Sequence, residues 1–417
     1  MCMDERTART SAVMKFARQR RVLIPAALAC LSIVTMHLLL SHAGAVVPTG
    51  PGMPNDPAHN DLLFRFDSHV YFDIAKHGYS YDGDPASSPN IVFAPLFPLL
   101  MAVLHALTGI PLLACGFAIV WLSFIVGLVL LHRAVETQFG ATHALWTSVG
   151  VAFSTGSFAF SALYAESVML LGIAVCWRLM QQQRLLALGL ASCALGLSRL
   201  TPAPMCLFIG LSILWRALEA RRAGASGSQL ARHLAAAALA WSGPVIYLGG
   251  MWIAFAQYGP VWEVFREIKT TSWGVSHSVI TWWEFLSFQH MWRYVGLAFT
   301  NDVPIYKVLN LVWCVLAFGS SLWLIATRKL GWLAPGFIGY FLLVYYATAG
   351  RDGLVSTTRY HALLIPIFLM FASLHDAIAR RSSQRIAWLV SGPLMAANAF
   401  SFVFWGTGFV QGHWFFF

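Results

Sequence analysis

Apolar runs follow one another along this chain with only short polar breaks between them. They occupy positions 22–40, 92–108, 111–131, 142–160, 164–180, 185–200, 203–215, 234–256, 306–326, 330–349, 360–378 and 386–408. Many approach the ~20 residues that a helix needs to cross the hydrocarbon of a bilayer. The pattern therefore predicts an all-α, polytopic integral membrane protein. One run stands apart from the rest. Phe93-Ala94-Pro95-Leu96-Phe97-Pro98 puts two prolines into 92–108, and only Gly109-Ile110 separates it from the next run.

Composition supports the membrane assignment. Of the 417 residues 58% are hydrophobic and 11% charged, against about 25% charged in a soluble globular protein. The formal charge of +10 could have pointed to nucleic acid. The basic residues lie in short clusters between apolar runs, however, which is the topogenic pattern, so no nucleic-acid partner is expected. The seven cysteines fall in apolar runs or in the basic N-terminal tail, without a CxxC, and predict neither a disulfide framework nor a zinc site. No Asn-x-Ser/Thr sequon occurs, in keeping with a bacterial origin.

Lysine and arginine also decide whether 92–108 spans. If it does not, and the N-terminus is cytoplasmic, eighteen of the 27 Lys/Arg fall inside and nine outside. If it does, the split becomes thirteen against fourteen. The positive-inside rule selects the first arrangement: about eleven spans, a retained anchor at 22–40, and 92–108 as a re-entrant or interfacial helix on the outer face. Within one domain covering 1–417, two outer loops follow, at 41–110 and 257–305. The second carries Trp262, Phe265, Trp273, Trp282, Trp283, Phe285, Trp292 and Tyr294 and is expected to lie on the membrane surface. The segment 221–228 reads as a cytoplasmic linker.

The most polar run lies in the first outer loop, from Phe64 to Tyr79. It holds Arg65, Asp67, His69, Asp73, Lys76 and His77 among aromatics. Asp67 to Gly78 reads as a short helix with Asp67 as N-cap, an apolar stripe at Val70, Tyr71, Ile74 and Ala75, and a Lys-His-Gly end. Asp73 can pair with His69 one turn earlier. His69 and His77 read as hydrogen-bonding or headgroup-level residues rather than metal ligands. Isolated charges at the outer ends of later runs join this set: Glu166, Arg199, Arg351, Asp352 and Arg359. Glu166 could simply favour a helix N-terminus, and Arg199 or Arg359 could snorkel. Ionisable groups at membrane depth more often mark a site.

An outward-facing site has no nucleotide supply, so an activated substrate must arrive within the lipid. A polyprenyl-phosphate sugar meets that requirement. Its use needs a carboxylate to take the acceptor proton and cations to stabilise the departing phosphate.

The order Arg65-Phe66-Asp67-Ser68-His69, Ile74-Ala75-x-x-Gly78-Tyr79 and Phe93-Ala94-Pro95-Leu96-Phe97-Pro98 resembles the first-loop signature of the PIG-V-like mannosyltransferases. These are polytopic enzymes of the C superfamily of glycosyltransferases (GT-C). Tyr164-Ala165-Glu166-Ser167 resembles the family's Tyr-Thr-Glu-Ser, Leu197-Ser198-Arg199 its Ser/Thr-Arg segment, and Thr358-Arg359-Tyr360 its late Arg-Tyr motif. The resemblance covers about 64–200 and, more loosely, 359–366. It implies a GT-C-like fold with Asp67 as catalytic base. It makes Glu166 a second acid near sugar or acceptor, and Arg199 and Arg359 phosphate contacts. Arg65, His69, Asp73 and Tyr360 complete the expected substrate-binding set. Phe66, Ala94 and Ala165 depart from the family's Trp, Phe and Thr, which bears on the substrate more than on the chemistry.

The expected activity is inverting transfer of a hexose, mannose by the resemblance, from a polyprenyl-phosphate sugar to a lipid, glycan or protein acceptor. It would take place on the periplasmic face of the inner membrane. An Asp67/Glu166 pair is able to bind a divalent cation, although the spacing does not demand one. The rival is a transporter or flippase of lipid-linked sugar. That reading expects ionisable residues near mid-span and an internal repeat; the cytoplasmic halves of the runs carry almost no ionisable residues, the charges gather at one face, and no repeat is seen.

Overall fold

The computed structural model describes residues 19, 21–39, 63–64, 66–87, 89–273, 305–327, 329–350, 353–354 and 357–410. Arg65, Arg351 and Asp352 lie outside the described residues, as do the aromatics of 274–304. The fold is helical: α1 (Arg21–Leu39), α2 (Asp67–His77), α3 (Leu96–Thr108), α4 (Leu112–Phe139) and α5 (Ala141–Ala152) come first. Then come α6 (Glu166–Gln181), α7 (Leu185–Ser198), α8 (Ala203–Arg222), α9 (Gly227–Ala254) and α10 (Val261–Trp273). The chain closes with α11 (Ile305–Thr327), α12 (Leu333–Thr348), α13 (Thr357–His361), α14 (Ile365–Arg381) and α15 (Gln384–Val410). Among the described residues the strands are β1 (Ala349–Gly350) and β2 (Gly353–Leu354), one antiparallel turn before α13.

Among the described residues five helices, α1, α4, α8, α9 and α15, are long and apolar enough to cross a membrane. Shorter apolar helices stand beside them, among them Leu96–Thr108, Leu185–Ser198 and Leu333–Tyr345. Their outward faces are oily: Leu107 is 79% exposed, Ile253 83% and Leu389 74%. Lipid, not water, is the solvent such faces suit.

The expected run 142–160 is broken in two. α5 stops at Ala152, because Ser157 Oγ turns back to the Val151 carbonyl at 2.6 Å and to Ser154 Oγ at 2.8 Å. Local hydroxyl bonds of this kind compete with helix continuation. A single 3₁₀ turn at Ser157–Phe160 follows. The supposed linker also contains more than a spacer: Ser226 and Gln229 form a reciprocal capping box that starts α9.

Backbones approach closely where glycine allows it. A Cβ at Gly243 of α9 would collide with the Cys193 carbonyl oxygen, and one at Gly189 of α7 with the Ala236 carbonyl oxygen. This small-residue contact is the usual means of packing helices that gain little from hydrophobic burial between them.

Charged side chains gather at two opposite ends of the helices. At one end Arg21 pairs with Glu136 at 2.9 Å, Arg178 reaches Thr137, Gln138 bonds the Lys329 carbonyl, and His143 meets Asp376. Arg21, Arg133, Glu136, Thr137 and Arg178 line a cavity of about 200 Å³ there. Glu166, at the start of α6, and Arg199, just beyond α7, mark the other end. The 16 residues of α6 separate the two by about 24 Å at 1.5 Å per residue.

Candidate active site

Two loop elements build the site around the helix ends. The first is α2. Its apolar residues Tyr71 and Ile74 are buried with Phe97 and Met101 of α3 and with Leu163 and Tyr164. The Leu163 amide donates to the Leu63 carbonyl at 3.4 Å, which fixes the entry to α2. Phe66 sits at φ 50, a region costly for a bulky side chain. Strain of this kind clusters at functional sites.

Asp67 is the first helical residue, with Phe66 in the N-cap position, and among the described residues its carboxylate bonds Arg359 rather than a backbone amide of α2. The N-cap expectation is thus corrected: the carboxylate is drawn away by a stronger donor. Arg359 Nη1 meets Asp67 Oδ2 at 2.6 Å, a charge-assisted bond that outweighs a neutral cap. The carboxylate remains 19% exposed, and Oδ1 has no bonded partner among the described residues.

Glu166 opens α6 and is fully buried. Its Oε1 accepts from Arg199 Nη1 at 2.6 Å and lies 3.7 Å from Arg359 Nε, while Oε2 has no partner among the described residues. Arg199 adopts an extended conformation after α7, which turns its side chain across the end of α6. The Tyr360 hydroxyl accepts from both arginines, from Arg199 Nη2 at 2.8 Å and Arg359 Nη2 at 3.1 Å. Arg359 also lies 5.4 Å from the Tyr164 ring centre, within cation–π range. Tyr71 is buried close enough to feel all four charges, and burial raises its phenol well above its ordinary pKa.

The sequence-predicted set divides clearly. Asp67, Glu166, Arg199, Arg359 and Tyr360 come together from four separate elements. Asp73 does not join them. Its Oδ1 contacts His77 Nδ1 at 2.8 Å and its Oδ2 accepts from Asn90 at 3.2 Å. The expected Asp73–His69 pair is therefore corrected to Asp73–His77, one turn later, because His69 instead packs edge-on against Phe64 at 4.3 Å.

Lys269 was missed. It sits on α10, which buries Val261, Val264, Phe265 and Ile268 against Ile91, Ala94, Tyr247 and Met251. Lys269 follows Phe265 by four residues and so shares that face. A lysine on the apolar face was the available signal. It interacts electrostatically with Arg199, Arg359 and Asp67.

Chemically, the cluster combines one carboxylate whose Oδ1 has no bonded partner among the described residues, a second, fully buried carboxylate and two guanidiniums. Among the described residues no group of three or more His, Cys, Asp or Glu is placed to hold a metal, and each acid is engaged by its own arginine.

No family model matches the sequence, and no curated protein does. Among solved structures the chain is similar to the oligosaccharyltransferase of Archaeoglobus fulgidus, whose crystal structure contains zinc and sulfate. The identity is 11% and the TM-score 0.41. The match covers 82% of this chain and 48% of that one, so this chain spans about half the length of that protein.

Proposed function

We propose that the chain is a membrane glycosyltransferase of the GT-C type, transferring a hexose from a polyprenyl-phosphate donor to an acceptor hydroxyl with inversion. The observation that carries this reading is the pairing of Asp67 with Arg359, beside the pairing of Glu166 with Arg199. A base and phosphate-binding forks stand in one half-buried cluster.

The free Oδ1 of Asp67 takes the acceptor proton as the acceptor oxygen bonds to the anomeric carbon. The carbon–oxygen bond to phosphate breaks with its electron pair on the phosphate. No general acid is needed, since phosphate is a stable leaving anion. Arg199 and Arg359 receive it, and incoming phosphate competes with Asp67 for Arg359, freeing the base as the donor binds. The site faces the periplasm in this reading, and the end holding Arg21, Arg133 and Arg178 faces the cytoplasm, as the positive-inside rule would place them.

The test is transfer of radiolabelled sugar from polyprenyl-phosphate-mannose into native lipid extract by purified protein reconstituted in sealed vesicles. Label in a new product supports the reading. Label that crosses the bilayer without transfer supports the flippase instead, and neither outcome with any prenyl-phosphate hexose overturns both.

A further inference from the structure

We propose that the cavity at the end of α4 opposite the acid–arginine cluster binds the phosphate of an anionic phospholipid. The site is independent of the chemistry proposed at the other end and stands or falls without it.

Three helices build the cavity. Arg21 opens α1, Arg133, Glu136 and Thr137 lie in the last turns of α4, and Arg178 lies in the last turn of α6. Their side chains line about 200 Å³, many times the roughly 10–15 Å³ that one water requires. One carboxylate stands among three guanidiniums. Glu136 is held through Arg21 Nε alone, at 2.9 and 3.0 Å, which leaves both Nη groups of Arg21 without a partner among the described residues. Arg178 Nη1 donates to the neutral oxygens of Thr137 and Gln181 at 3.1 and 2.9 Å. Thr137 in turn donates to the Arg133 carbonyl at 2.7 Å. These bonds hold the Arg178 fork in place without offsetting its charge. The Arg133 side chain makes no hydrogen bond or ion pair to any described residue. In sequence Arg21 follows Lys15, Arg18 and Arg20, with no acid after Glu5, so the preceding chain adds cations rather than a counter-charge.

Like charges gathered around one cavity repel, and an anion among them relieves that repulsion. Phosphate is the anion that matches, because the planar arginine fork takes two of its oxygens at once. Basic pockets between membrane helices take the headgroups of anionic lipids in this way. The faces beside the cavity separate a lipid from free phosphate. On α4, Leu122 and Val126 are exposed, and steps of four and three residues carry the same face through Leu130 to Arg133 and Thr137. On α1, Leu23 and Ile24 are exposed within one turn of Arg21. An oily track therefore ends at an arginine on each helix. A ligand with a phosphate at one end and acyl chains along α1 and α4 fits both parts, whereas free phosphate fits only the first. A choline headgroup would bring its own cation against the arginines, so the class is a phospholipid of net negative charge.

Binding is measured on the full chain in detergent by native mass spectrometry. The probes are phosphatidylglycerol, phosphatidylcholine with the same acyl chains, and inorganic phosphate. Wild type should hold phosphatidylglycerol about tenfold more tightly than phosphatidylcholine, the scale of one charge-assisted hydrogen bond. Inorganic phosphate should be held more weakly than phosphatidylglycerol. Arg133→Gln removes no bond to a described residue, and should lose about tenfold for phosphatidylglycerol and nothing for phosphatidylcholine. Arg222→Gln removes an exposed cation of α8 that does not line the cavity, and should lose nothing. Thermal unfolding without lipid shows whether each variant folds. Arg178→Gln carries the same expectation as Arg133→Gln from another helix, and replaces it should that variant fail to fold. Equal binding of phosphatidylglycerol by wild type and the folded cavity variant would overturn the site. An equal loss in Arg222→Gln would assign the effect to diffuse surface charge and overturn it as well. Phosphatidylcholine held as tightly as phosphatidylglycerol would overturn the charge class. Inorganic phosphate held as tightly as phosphatidylglycerol, with the same dependence on Arg133, would replace the lipid by a soluble phosphate ligand.

Discussion

Arg359 Nη1 lies 2.6 Å from Asp67 Oδ2, although 292 positions of sequence separate the two residues. The contact ties α2 to the segment that enters α14, so the proposed base and a proposed phosphate ligand are a single ion pair before substrate binds. Such a pair holds the carboxylate in place and makes its release depend on a competing anion.

Asp67→Asn keeps the side-chain shape and an oxygen that can still accept from Arg359. Folding should therefore survive, with an unfolding temperature close to wild type. Sugar transfer should fall by about 10²–10⁴, the usual contribution of a general base. Equal transfer by both proteins would remove Asp67 from its role and move attention to Glu166.

Glu166 is a different test, because it is fully buried and balances Arg199. Glu166→Ala leaves an uncompensated cation in the interior, which costs about 3–5 kcal/mol for buried pairs. The double variant Glu166→Gln/Arg199→Met removes both charges and should recover most of that stability while remaining inactive. Denaturation and transfer assays on the same samples separate the two effects. If the double variant unfolds as readily as Glu166→Ala, the pair is not what limits stability.

The helical, membrane-type fold was legible because apolar runs and their basic borders are strong local signals, and the clustering of acids and arginines followed from their placement at alternate helix ends. What could not be read were choices made by tertiary competition. Asp67 had every local reason to cap α2, and only a guanidinium arriving from residue 359 changes its partner. Asp73 could reach a histidine on either side, and the packing of His69 on Phe64 decided for His77. Lys269 lay in a loop that aromatic content marked as a surface element, and its place on the packed side of α10 depends on which face of that helix meets Tyr247.

Asp73 should matter little to transfer. It and His77 are half exposed, at 50% and 61%, and exposed pairs contribute about 0–1 kcal/mol. Asp73→Asn retains an acceptor for Asn90 and should show transfer within about twofold of wild type, with stability changed by less than about 1 kcal/mol. A loss comparable with that of Asp67→Asn would place Asp73 back among the site residues and imply movement of α2 when donor binds.

Tyr360 makes the sharpest distinction between a site prepared for phosphate and one that merely packs. Its hydroxyl oxygen accepts from both Arg199 and Arg359. Tyr360→Phe keeps the ring, and with it the guanidinium contact at 5.0 Å to each arginine, but leaves two charged donors short of an acceptor. Stability without ligand should drop by roughly 1–3 kcal/mol. Phosphate oxygens can then take the vacated position, so polyprenyl monophosphate should raise the unfolding temperature of Tyr360→Phe by more than it raises that of wild type. The same comparison with polyprenol should show no difference between the two proteins. If monophosphate stabilises both proteins equally, the oxygen of Tyr360 is not standing where phosphate binds, and the two arginines are held for structure alone.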